Sequence, residues 1–474
     1  MLCLDEKQDL EKQELDYETL QEQRTDELSE LLESREMKRL QLKMEELNEF
    51  DVAEFLSEIR DKRMPMVFRL LSKEKAAEVF SHLEPPEQER IINSITDSEL
   101  AGIVEEMYVD DAVDMMEELP ANVVKRVMRT ATAETRAIIN QYLHYPENSA
   151  GSIMTSEFVD LKKYMSVKES FARIRRIGED KETIYVCFVT DAARKLEGVV
   201  TVKDLLLADP DTEVGELMDR NVVFATTTED QESVSEKISD YDLLAIPVVD
   251  KEGRLVGLVT VDDIIDVMEQ ETTEDIEKMA GMTPSDKPYS RTGILEIWKN
   301  RVPWLLFLMI SATFTSVILT HFEDMLAVQA ALVAFIPMLM GTGGNSGAQA
   351  STAVIRSLSL GDTEPGDVLP VMWKELRVAF LCGLTLSAVN FVKMLLLDGL
   401  ALGNDEITVA VAATVSISIL FIVMFAKAVG SLLPIAAEKI GVDPAVMANP
   451  LISTLTDAVS LLIYIHIAKI ILHI

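Results

Sequence analysis

Cysteine is scarce in this sequence: three in 474 residues, Cys3, Cys187 and Cys382, far apart and without paired spacing. That excludes a disulfide framework and a thiolate metal site. Basic side chains are outnumbered, 44 against 80 acidic ones, for a net charge of −36. Nucleic-acid binding needs a basic face and is excluded, whereas such acidity invites cations. The start, MLCLDEKQDLEKQEL, lacks the basic segment and apolar stretch of a secretory signal, so no cleavable targeting peptide is expected. No Ser-His-Asp pattern, nucleotide-hydrolysis loop or metal-hydrolase motif occurs, which argues against an enzyme.

What is present is unevenly spread. Residues 1–290 hold 34 basic and 67 acidic side chains, net −33, and residues 291–474 hold 10 and 13, net −3. An acidic front half joined to a nearly uncharged back half is not one soluble globule. The length suits about three domains at roughly 150 residues each.

Residues 1–50 contain no Gly or Pro and carry Leu28, Leu31 and Leu32 near helical spacing, which reads either as an exposed, oligomer-forming helix or as a solvated extension. From 51 to 148 short amphipathic helices alternate with Pro-bearing turns. An offset of 36 aligns Ala76, Phe80 and Leu83 with Ala112, Met116 and Leu119, the mark of stacked helical repeats. Between 149 and 270 the runs Tyr185 to Val189, Val199 to Val202, Ala245 to Val249 and Leu255 to Val259 read as strands. Here an offset of 59 superposes GVVTVKDLL, from Gly198, on GLVTVDDII, from Gly257. This pattern resembles a tandem pair of CBS modules, whose cleft often holds an adenosine nucleotide. By that resemblance Thr201 with Asp204, and Thr260 with Asp263, occupy strand-to-helix positions that contact ribose and phosphate, so ATP is a candidate ligand.

Residues 271–300 turn from acidic to basic, as suits a helix running toward a membrane surface. Beyond them lie five apolar stretches: Val302 to Thr320, Leu326 to about Ser357, Val378 to Leu397, Ile407 to Ala437 and Ala445 to Ile474. Each has the about 20 residues that a helix needs to cross a hydrocarbon core. Arg291, Lys299, Arg301, Arg356, Lys374, Arg377 and Lys439 flank alternate ends, and the loops HFED and DGLALGNDE carry no basic residue. The bias puts the N-terminal part in the cytoplasm and, with an odd number of spans, the C-terminus outside. The expected fold is a multidomain membrane protein: a helical extension (1–50), an all-α repeat domain (51–148), tandem α/β modules (149–270), a connecting helix (271–300) and a five-helix transmembrane domain (301–474).

Polar groups inside apolar spans mark pathways or packing contacts. Asp457 sits near the middle of the last span, with Ser453 at i−4 and Asn449 at i−8 on the same helix face. That face offers a carboxylate, a hydroxyl and an amide, all oxygen donors. A structural ion pair between Asp457 and Lys427, which lies within the fourth span, is the alternative. A second cluster, GTGGNSGAQAST from Gly341, has glycines that permit bending and close helix approach, and Asn345 and Gln349 on one edge. It reads as a broken or a closely packed helix.

Taken together, the helical N-terminal domain, the paired modules, the acidic connector and the spans bearing GTGGNSGAQ and NPLISTLTD resemble the MgtE family of bacterial magnesium channels over about residues 50–474. The resemblance implies a homodimer in the inner membrane with its pore between subunits. It also implies that Asp457 recognises the ion, assisted by the Asn449 region and the backbone around Gly344 and Asn345. Lys427 and Ser453 depart from the expected pattern.

Mg2+ wants six oxygens and sheds water reluctantly, so one carboxylate per subunit beside neutral oxygens suits it. No clustered Cys and His occur in the spans; His466 and His473 stand seven apart. Cytoplasmic carboxylates supply a gate: Asp110, Asp111 and Asp114 on one helix turn, and Asp262, Asp263, Asp266, Glu271, Glu274 and Asp275 in a short stretch. Divalent ions between apposed acids neutralise their repulsion and favour a compact, closed state. Two other readings compete: a carrier for Co2+ or Mn2+, and a non-conducting membrane-anchored metal or nucleotide sensor.

Overall fold

The computed structural model describes residues 23–59, 63–285, 289, 292–323, 325, 330–401, 407–447 and 449–473. Two compact units divide at residues 268 and 269.

The first unit begins with helical segments of about ten residues. Isolated helices this short are marginal in water, so they form only by capping and by burial against neighbours. Both devices are present. Asn48 accepts from the Phe50 amide at 2.9 Å, Thr96 and Glu99 form a reciprocal capping box, and Pro85 and Pro86 open a helix at positions that need no backbone donor. Helices α1 (Lys73–Ser81) and α2 (Val109–Glu118) are the repeat partners, and Ala76, Phe80, Leu83, Ala112, Met116 and Leu119 are all buried. The expectation for residues 1–50 needs correction. Residues 1–22 lie outside the described residues, and within 23–50 Leu28, Leu32, Leu40 and Met44 are buried in the helical core rather than solvated.

The two α/β modules follow as copies. Strands β1 (Asp160–Leu161), β2 (Val186–Thr190) and β3 (Leu196–Thr201) form one sheet, and β4 (Ala225–Thr226), β5 (Ala245–Val249) and β6 (Leu255–Thr260) the other. In each sheet the first pair is parallel and the second antiparallel. Val186 faces Thr201 as Ala245 faces Thr260, the 59-residue offset expressed as register. The central strands β2 and β5 are buried at every position, which their runs of Val, Ile, Phe and Cys permit. Helix α3 (Val202–Leu207) leaves β3 and helix α4 (Val261–Met279) leaves β6. The core of the helical segment continues into the second module through Ile246, Val248, Val259 and Ile264, and this continuity brings α2 and the start of α4 together.

The second unit contains the end of α4 and the apolar helices α5 (Ile294–His321), α6 (Ile336–Ser359), α7 (Val368–Lys393), α8 (Val409–Lys439) and α9 (Asn449–Leu472). The connector is not one helix. Its first stretch ends at Met279, Gly281 takes φ +71°, and a β-carbon there would collide with Trp304. The expectation of five spans is met at four of them. Among the described residues four helices are long and apolar enough to cross a membrane: Ile294–His321, Val368–Gly399, Val409–Lys439 and Pro444–Leu472. The remaining stretch forms the 24-residue α6, whose Gly, Ser, Thr, Asn and Gln residues dilute its apolar content. Helix α8 is the most buried, packing through Val411, Val415, Ile419 and Ile422 against Leu339 of α6 and Leu461 of α9. Polar ties support the packing: the Asn390 amide of α7 donates to Ser416 Oγ of α8 at 3.1 Å, and the Tyr464 hydroxyl donates to the Leu332 carbonyl at 3.0 Å.

The helical core makes a direct prediction. Phe80 is fully buried, so Phe80→Ala should cost the first unit about 3–5 kcal/mol in a urea titration. A loss below about 1 kcal/mol would show that the repeat packing is misassigned.

Candidate functional site

Two groups of predicted residues occupy different units. In the apolar unit, α9 carries Ser453, Asp457, Ser460 and Tyr464 at spacings of four, three and four, a single helix face. Asp457 is half-buried and, among the described residues, has no hydrogen bond or ion pair. Asn449 opens the helix, and its side chain lies outside the described residues. The competing ion pair is not formed. Lys427 instead has Glu375 of α7 as its partner, with Nζ 3.9 Å from Oε2.

Glycines of α6 set how closely that face is approached. A β-carbon at Gly343 would stand 2.7 Å from Ser460 Oγ and 2.9 Å from Ile422 Cγ2. One at Gly347 would stand 2.6 Å from Ile452 Cγ2, and Gly430 of α8 crosses directly against the Gly347 backbone. Gly344 faces Ser453, whose Oγ would be 3.4 Å from an added β-carbon, so the serine is accommodated. A β-carbon at Gly341 would meet no neighbouring helix within 4 Å among the described residues. Helix α6 runs unbroken through the whole stretch, so of the two readings of GTGGNSGAQAST the closely packed helix is the one found. Asn345 and Gln349 are both exposed, one turn apart on its outer edge.

In the first unit the acids converge. Asp110, Asp111 and Asp114 on α2 lie within electrostatic range of Asp263 on α4. Burial, then Asp111, Asp263 and Glu182, hold the Asp110 carboxyl well above its ordinary range, and its Oδ1 is buried without a hydrogen-bond partner. Burial and Asp263 raise Asp111 to about 6. Burial, with Asp111, Glu117 and Glu118 as the next contributors, raises Asp114 to about 7. Burial lifts Asp263 as well, against a hydrogen bond from Thr260. Glu182 belongs here, raised to about 7 by burial and by Asp263 and Asp262. Sequence reasoning missed it, because nothing in GEDKETI sets it apart from its acidic neighbours, and only the fold brings it to α2 and α4.

The other predicted residues fall elsewhere. Asp262 and Asp266 are exposed on α4. Further along, Lys278 bridges Glu274 and Asp443, the latter at 2.6 Å, and Asp275 accepts from Ser359 Oγ at 3.4 Å. Glu271 is half-buried nearby on the same helix. Asp443 was not singled out in the sequence. Thr201 and Asp204 form a capping box at the start of α3, with Thr201 Oγ donating to Asp204, and at the start of α4 the Thr260 hydroxyl and amide donate to Asp263. Among the described residues no group of three or more His, Cys, Asp or Glu is arranged to hold a metal ion.

Three family models match the chain in order. The MgtE intracellular N domain matches residues 47–148, the CBS domain 150–211 and 214–270, and MgtE, described as a divalent cation transporter, 336–467. The chain is 39% identical over 449 residues to the magnesium transporter MgtE of Thermus thermophilus, covering 94% of this chain and 98% of the relative. It is 30% identical over 430 residues to the magnesium transporter MgtE of Bacillus subtilis, covering 91% and 93%. A crystal structure of the soluble part of a magnesium transporter aligns with a TM-score of 0.51 at 30% identity, covering 53% of this chain and 99% of that one.

The acid cluster predicts a linked effect of pH and metal. Folding lifts these carboxyls from 3.8 for Asp111 and Asp114, and 4.5 for Glu182, to about 6 or 7. The folded state therefore holds protons that the unfolded chain has released, and stability present at low pH is lost as pH rises through that window. A divalent cation offsets the loss once the carboxylates are ionised. Mg2+ should raise the melting temperature markedly at about pH 7.5 and little at about pH 5. An equal rise at both would detach the cluster from metal.

Proposed function

The chain belongs to the MgtE family of magnesium transporters, and from that premise we propose that it is a Mg2+ channel of a bacterial inner membrane, homodimeric and closed from the cytoplasmic side when internal Mg2+ is high. The observation that carries the reading is Asp457, a carboxylate in a membrane-crossing helix with no cation paired to it among the described residues. Such a group is costly in lipid unless it serves a pathway.

In this reading α6 is the fifth membrane helix, and its polar edge lines the path. Exposed amides such as Asn345 and Gln349 are poorly matched to acyl chains, which favours a second copy and water beside them. Asp457 receives the ion. Ser453, Asn449 and the Gly344–Asn345 backbone offer neutral oxygens, and retained waters complete an octahedron. The gate is electrostatic: Asp110, Asp114, Asp262, Asp263 and Asp266, with Glu271, Glu274 and Asp275 on the connector, repel until divalent ions enter among them, and closure follows. The N-terminal domains lie in the cytoplasm and the C-terminus outside. ATP binds the cleft of the paired modules at Thr201, Asp204, Thr260 and Asp263. The capping geometry leaves Asp204 exposed, as a ribose hydroxyl would require, while Asp263 is shared with the acid cluster. No enzymatic role is proposed. The description of the matching family as a divalent cation transporter keeps Co2+ and Mn2+ as competing cargo, which competition in a flux assay separates.

Asp457→Ala should abolish Mg2+ uptake into proteoliposomes while the protein stays folded on size-exclusion chromatography. Unimpaired uptake would remove Asp457 from the mechanism. Replacing Asp110, Asp114 and Asp263 by Asn and Glu274 by Gln should shift the internal Mg2+ giving half-inhibition upward by about tenfold or more; an unchanged inhibition curve would place the gate elsewhere.

A further inference from the structure

Lys427 places a cation inside the helix bundle of a chain read as passing cations. Its side chain is only 7% exposed, and its partner Glu375 is 15% exposed. The contact is long, 3.9 Å, and Glu375 Oε2 is buried without a hydrogen-bond partner. A buried pair that serves stability has short contacts and satisfied oxygens, and a pair this loose is often no better than an apolar one. Its value therefore lies in where it holds the charge.

The surroundings say what the charge is held away from. The Ala426 carbonyl, next to Lys427, lies 3.1 Å from the β-carbon position of Gly347, and Ile452 of α9 meets the same glycine at 2.6 Å. Lys427 thus leaves α8 near the level where α6, α8 and α9 converge. Asp457 lies five residues beyond Ile452, about 7.5 Å of helix rise. The acidic residues of α6 to α9 are Glu375, Glu438 and Asp457, and Glu438 stands at the very end of α8. Without Glu375, the remaining mid-helix carboxylate for a lysine on a flexible four-carbon stem is Asp457.

We propose that Glu375 is a positioning residue for ion passage: by holding the Lys427 ammonium toward α7 it leaves the Asp457 carboxylate free to receive metal. This rests on the transport reading above. An ammonium paired to Asp457 would neutralise the site and repel an incoming divalent ion.

The test is Mg2+ uptake by the full-length protein in proteoliposomes, followed with an internal Mg2+-sensitive dye. Glu375→Gln should lower uptake by about tenfold or more, because the freed ammonium is left near the path. Lys427→Met should stay within about twofold of the unmodified protein, since a lone buried carboxyl takes up a proton and neutralises itself. The double variant Glu375→Gln/Lys427→Met should recover to the same level, and Glu375→Asp, which keeps the charge, should retain most uptake. Equal impairment of the two single neutralisations would make the pair merely structural and overturn the proposal, as would full uptake by Glu375→Gln or failure of the double variant to recover. If Glu375→Gln does not fold, the double variant decides: normal uptake supports the proposal and lost uptake overturns it. Absence of Mg2+ uptake by the unmodified protein would instead refute the transport reading itself.

Discussion

A carboxylate set into a membrane-crossing helix must be compensated, and among the described residues no cation is paired with Asp457 to do it. Much of the apolar unit is arranged around that demand. The glycines of α6 let it lie directly on α8 and α9, so the helix face bearing Ser453 and Asp457 is approached by backbone rather than by bulky side chains. The one buried lysine of α8 is directed to another acid. Several hydroxyls are satisfied locally, as Thr456 Oγ is by the Ile452 carbonyl at 2.7 Å and Ser418 Oγ by the Thr414 carbonyl at 2.7 Å. Such i−4 bonds let hydroxyls sit in apolar helices without seeking partners elsewhere.

The cytoplasmic unit faces the same problem in repeated form. Five carboxyls on three segments are drawn together by an apolar core that runs from the helical repeats into the second module, and burial first, then repulsion from neighbouring acids, raises each of them. Hydrophobic burial there works against electrostatics. A compact arrangement of this kind is conditional, because a few kcal/mol of relief from bound cations or protons decides whether it persists. Conditional stability is what a sensor requires.

Much of this was legible in the sequence because it rests on periodicity. The 59-residue offset became strand register, with Val186 to Thr201 repeated by Ala245 to Thr260, and the 36-residue offset became matched core positions. Asp457 with Ser453 needed only the helical repeat. What escaped depends on contacts distant in sequence. Glu182 joins the acids only through the fold, Glu375 was unmarked until α7 lay against α8, and Asp443 meets Lys278 across more than 160 residues. Composition left α6 open between a broken and a closely packed helix: close contacts with α8 and α9 accompany an unbroken helix despite its low propensity. The N-terminal leucines likewise appeared in a charged stretch that gave no sign of the core they join.

In the proposed mechanism metal crosses beside Asp457 under cytoplasmic control. The most direct measurement is Mg2+ flux through the purified full-length protein with internal Mg2+ varied at constant ionic strength. Flux that is high when internal Mg2+ is withdrawn and falls steeply as it is restored is the predicted result. No Mg2+ flux at any internal concentration would contradict the account.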